Sequence, residues 1–185
     1  MRFIKNYLKS FRSNNGFTIV ELLVVLSIIS IMSAGLIFYS RTSERQIILF
    51  QEQAKVISAL YKAKSLASSA YYSETEVPCA YGVHFEKPNK VIIFKDLSPE
   101  NLTNCSDVDN KYSGSNEIYQ QIILDKTVKI SKLDLTDVVF VPPYIIVVID
   151  NGDKESGLIT LQTVDGLSTK IIKITDAGQI TVKYE

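Results

Sequence analysis

The sequence predicts an α+β fold, a long N-terminal helix packed on a C-terminal antiparallel β-sheet. Three observations carry the prediction. Residues 16–39, GFTIVELLVVLSIISIMSAGLIFY, form one apolar run. Residues 44–72 then continue without Gly or Pro and are rich in helix formers. Beyond Pro78 the apolar residues alternate with polar ones, and short β-rich runs are divided by turn residues.

The first element begins after a basic leader. Residues 1–16 carry Arg2, Lys5, Lys9 and Arg12 and no acidic side chain. Residues 17–39 contain a single charged residue, Glu21, and no Pro. As a helix they rise about 34 Å, enough for the ~30 Å hydrocarbon core of a bilayer. Basic residues before the run, with Arg41 and Glu44 following it and little net charge there, are expected to hold the N-terminus in the cytoplasm and the rest outside. The run exceeds the roughly 7–15-residue core of an ordinary secretory signal, and Ser33-Ala34-Gly35 lies inside it. A carboxylate in such a run costs about 2.5–3.5 kcal/mol to insert, so Glu21 is expected to serve a purpose there.

Residues 40–72 are expected to continue the helix as an amphipathic segment. Phe50, Ala54, Ile57, Leu60, Tyr61, Ala67 and Ala70 recur at three- and four-residue steps, with Lys55, Lys62 and Lys64 largely off that stripe. Gly35 is the one weak point in a helix expected over 17–72. A turn is expected at 73–78, and residues 73–185 then form the β domain.

Its first hairpin pairs Tyr81, Val83 and Phe85 with 91–94 across Lys87-Pro88-Asn89. Residues 96–116 are a long polar loop containing Cys105. Further strands are expected at 117–124, 127–133, 137–141, 144–149, 158–164, 169–175 and 179–184. Asn151-Gly152, Asp165-Gly166 and Asp176-Ala177-Gly178 supply turns, and Pro142-Pro143 ends or breaks a strand.

Gly16-Phe17-Thr18 followed by Glu21-Leu22-Leu23-Val24-Val25 resembles the prepilin signal of type IV pilins and pseudopilins. The resemblance implies a cut between Gly16 and Phe17 by the prepilin peptidase on the cytoplasmic side. It further implies methylation of the new Phe17 amine and retention of the helix in the mature subunit. In that family the carboxylate at the position of Glu21 pairs with the terminal amine of a neighbouring subunit. Two charges in an apolar bundle then offset part of each other's desolvation. The chain departs from many pilins in having Phe38 where they carry Pro.

The order of later elements is similar to minor pseudopilins of the general secretion pathway protein H and FimT type. The similarity rests on ALYKAKSLA, the stretch from Cys79 to Phe85, Phe140 to Pro143, and Ala177 to Ile180.

The composition limits the other function classes. The whole chain has 20 basic and 20 acidic residues. Without the leader 16 basic residues face 20 acidic ones, a net charge of −4, so a nucleic-acid partner is not supported. An outward-facing domain permits a disulfide between Cys79 and Cys105, with two unbonded thiols as the alternative. His84, the only histidine, falls on the strand face opposite Tyr81, Val83 and Phe85 and reads as a surface residue. Asp107, Asp109 and Asn110 hint at calcium but lack the Gly and terminal Glu of an EF-hand loop. Asn101 and Asn104 head glycosylation triplets.

No catalytic, metal or cofactor set emerges, and the chain is not expected to be an enzyme. The expectation is a minor pilin or pseudopilin of the inner membrane. Its partners would be prepilin peptidase, other pilin subunits in a helical fibre, an assembly platform protein and membrane lipid. It would act in fibre assembly, protein secretion, adhesion or DNA uptake. The alternative is a membrane-anchored extracytoplasmic binding domain outside any fibre.

Overall fold

The computed structural model describes residues 16–70, 78–97, 105 and 108–184. Helix α1, Ile19–Ala70, begins in one compact unit, Met1–Ser43, and ends in another, Glu44–Glu185. In the first unit no side chain from Ile19 to Ile37 is buried, and that stretch is long and apolar enough to cross a membrane. Ser27 and Ser30 donate their hydroxyls to the carbonyls of Val24 and Leu26, at 2.7 and 2.8 Å. Neither polar group is therefore left unpaired in the apolar run.

The second unit is α+β. Its strands are β1 (Ala80–Glu86), β2 (Lys90–Asp96), β3 (Ile118–Ile123), β4 (Val128–Leu133), β5 (Asp137–Val141), β6 (Ile146–Ile149), β7 (Ser156–Thr163), β8 (Thr169–Thr175) and β9 (Ile180–Tyr184). All pairings are antiparallel, but they make two sheets where one was expected. A five-stranded sheet runs β3-β2-β1-β5-β6 and a four-stranded sheet runs β4-β7-β8-β9. The division comes from β4, which leaves β3 after a four-residue connection, 124–127, and pairs with β7. Pro142 and Pro143 sit in the turn of the β5–β6 hairpin, where no ladder donor is needed. Gly166 and Gly178 adopt φ of 78° and 74° in the β7–β8 and β8–β9 turns, a region open to Gly at little cost.

One core joins the helix to one face of each sheet. Leu49, Val56, Leu60, Ala63 and Ala67 pack with Val83, Phe85, Ile93, Val138, Leu161 and Ile172. The buried stripe therefore differs from the expected one: Phe50, Ala54 and Tyr61 are exposed. Two buried polar residues, Glu52 and Gln53, lie on the true stripe and hide it from an apolar count. Phe50 instead lies on the flank, 4.2 Å beneath the Lys170 ammonium.

The five-stranded sheet is covered on its other face as well. Ala80, Ile92, Phe94 and Val139 form a second apolar cluster against Tyr112 and Ile118. Gly82 lies on this face: a Cβ there would fall 2.4 Å from Phe94 Cζ and 3.0 Å from the Val138 carbonyl. Glycine at 82 is thus a packing requirement.

Candidate functional site

The N-terminal end of α1 is built by a local cap. Thr18 Oγ1 accepts the backbone N–H of Glu21 at 3.2 Å, and the Thr18 carbonyl accepts the N–H of Leu22. Thr-x-x-Glu is a capping-box sequence, and Glu21 also sits in the first turn, where the helix dipole favours negative charge. The cap fixes where the helix starts, and Gly16 and Phe17 precede it without helical structure. Phe17 is 77% exposed. A Cβ on Gly16 would meet no atom within 4 Å, so nothing among the described residues requires glycine there. The leader residues 1–15 lie outside the described residues.

The site is thus an exposed, non-helical Gly-Phe step ahead of a capped helix whose Ile19–Ile37 stretch buries none of its apolar side chains. It carries a prokaryotic N-terminal methylation motif. The family model of that description matches residues 11–37, which is 27 of 185 residues. The motif is a type IV pilin-like signal. It implies processing by a prepilin peptidase and assembly with other pilins, as a structural subunit would undergo. With the apolar helix, it fits a single-pass membrane-anchored protein. No curated protein and no solved structure matches the chain.

In the β unit, Cys79 and Cys105 form a disulfide with Cα atoms 5.4 Å apart. His84 is not the surface residue its strand position suggested. Its Nδ1 lies 2.8 Å from Asp137 Oδ1, and its ring lies 4.7 Å from that of Tyr112. The correction follows from the second apolar cluster, which covers the face on which His84 stands. β1–β5 pairing sets His84 opposite Asp137, a long-range register that no local signal reveals.

The sequence also gave no sign of three buried carboxylates on or beside this face, Asp96, Glu117 and Asp137. Burial pushes Asp96 up to about 7, and the charges of Asp109, Glu117 and Asp137 add to this while the Asn110 amide offsets part. Burial raises Glu117 too, partly countered by the N–H of Ser113, which donates to its Oε2 at 2.7 Å. Asp109 is spent locally, accepting the Lys111 N–H and the Ser113 hydroxyl. Asp107, Asn101 and Asn104 lie outside the described residues.

Proposed function

We propose that this protein is a minor pilin or pseudopilin subunit. Prepilin peptidase would cut it between Gly16 and Phe17 and methylate the Phe17 amine. The observation that carries this reading is the exposed Gly16-Phe17 step before the Thr18 cap, inside the matched motif. Residues 1–16 are then the removed leader, 17–39 the membrane helix, 40–72 its amphipathic continuation and 73–185 the surface domain.

Before assembly, lipid covers the apolar side chains of the span. In the fibre, neighbouring subunit helices replace it. Glu21 then meets the Phe17 amine of a neighbour, and the charge pair sets the axial register. The N-terminus faces the cytoplasm at insertion, the β domain lies outside the inner membrane, and an assembly platform protein adds the subunit to the fibre. Similarity of the later elements to the general secretion pathway protein H and FimT type supports a place in a short secretion pseudopilus or a type IV pilus.

Glu21→Ala tests the reading. The variant is expected to be processed and inserted normally but depleted at least tenfold from sheared fibre fractions, measured by immunoblot. Wild-type incorporation would remove the role of Glu21. Wild-type protein that never enters a fibre would favour a membrane-anchored binding domain.

A further inference from the structure

Asp96 ends β2 on the face of the five-stranded sheet that carries Ile92 and Phe94. Its side chain is 0% exposed, and neither carboxylate oxygen has a partner in full hydrogen-bond geometry; the Asn110 N–H offsets only part of the burial. A buried carboxylate so poorly partnered is costly when ionised, so the site favours the neutral acid. Its backbone is held firmly: the Asp96 carbonyl accepts the Cys79 N–H at 3.0 Å, beside the disulfide to Cys105.

What covers this face is the described stretch 108–117, leading into β3. Tyr112 lies over it, with its ring 5.6 Å from Phe94 and 4.7 Å from His84. The stretch is clipped to the sheet at one end by Cys105 and at the other by β3, and it brings acid with it. Asp109 and Glu117 face Asp96 from the cover, and Asp137 faces it from β5. His84 of β1 is engaged by Asp137. Between residues 98 and 117 Lys111 is the only basic residue, against four acidic ones. The described residues hold no group of carboxylates placed to share a metal ion.

We propose that residues 108–117 form a pH-sensitive cover on this face of the sheet, shut while Asp96 carries its proton and loosened once Asp96 ionises. Ionisation sets a fourth negative charge against Asp109, Glu117 and Asp137, with only the Asn110 N–H to offset it in part. The opened cover hydrates Asp96 and separates the charges, so opening and deprotonation favour each other. The sign follows from linkage. The closed form binds the proton more tightly than the open one, so closure is strongest in acid. It weakens as pH rises from the ordinary carboxylate range to about 7, and is flat above. The cover itself does not depend on fibre assembly. Only its exposure to external pH rests on the outward orientation proposed above.

The test is hydrogen exchange by mass spectrometry on the full-length protein in detergent micelles, following peptides across 108–118 from pH 5 to pH 8. Rates are corrected for intrinsic exchange. Protection in the wild type is expected to fall on the order of tenfold or more across this range. Asp96→Asn should abolish the fall. Glu117→Gln, which removes one repelling charge, should move its midpoint to lower pH. Equal wild-type protection at pH 5 and pH 8 would overturn the proposal by itself. So would an undiminished fall in a folded Asp96→Asn, or an unmoved midpoint in Glu117→Gln.

Discussion

Residues 19–37 and the Glu44–Glu185 unit treat their apolar side chains in opposite ways. In the first, every side chain is left uncovered by the chain itself. In the second, a core of helix and two sheets buries its apolar residues, and a second cluster seals the far face of one sheet. The difference teaches where to look for the cause of each residue. Gly82 is explained from inside, by Phe94 and the Val138 carbonyl. Gly16 is not: among the described residues no atom lies within 4 Å of where its Cβ would stand, and the processing proposed above would supply a reason for glycine there. The uncovered stretch is also the one that lies inside the matched motif. The family model does not reach the second unit, Glu44–Glu185.

The contrast can be pressed from the β unit. Gly82→Leu forces a side chain into space held by Phe94 and backbone, and should cost at least ~4 kcal/mol. Loss of the folded β unit in thermal melts, with the membrane helix still inserted, would show that the regions fail independently. Cys79→Ala with Cys105→Ala releases a link across 26 residues and should lower stability by about 3 kcal/mol in denaturant titration.

Asp150→Asn is a smaller change. Burial raises Asp150, but the N–H groups of Asp137 and Thr136 and the Lys154 ammonium outweigh it and hold the carboxyl below its usual range. The variant should cost about 1–2 kcal/mol at neutral pH. A depressed carboxylate contributes stability above its unfolded pKa and loses it as pH falls through the folded one. The gap between variant and wild type should therefore close in acid, below about pH 4. Asp96 behaves in the opposite sense, so the two carboxylates give the unit opposing pH slopes.

How much was legible follows the same divide. The strands announced themselves locally: β5 and β8 occupy the expected 137–141 and 169–175, because alternation and flanking turns suffice to define a strand. Partner choice is not local. The expected single sheet became two because β4 crosses to β7. The helix stripe was misplaced because Glu52 and Gln53 are buried on it. His84, Asp96 and Glu117 were opaque for a related reason. Their environment is made by a loop folding over a sheet face, and the loop's polar composition gives no hint that Tyr112 and Ile118 turn inward. The N-terminal signal needed no such context, since the matched motif and the Thr18 cap both lie within one short stretch of chain.

On the reading proposed above, Gly16-Phe17 is a processing site and the helix beyond it the start of a mature subunit. Intact-mass and N-terminal peptide spectrometry of the protein from its native membrane tests this directly. The account predicts a chain beginning at Phe17 with an N-methylated amine and no residue of the leader. A mature protein that retains Met1, or is cut after Ser33-Ala34-Gly35 with the helix discarded, would contradict it.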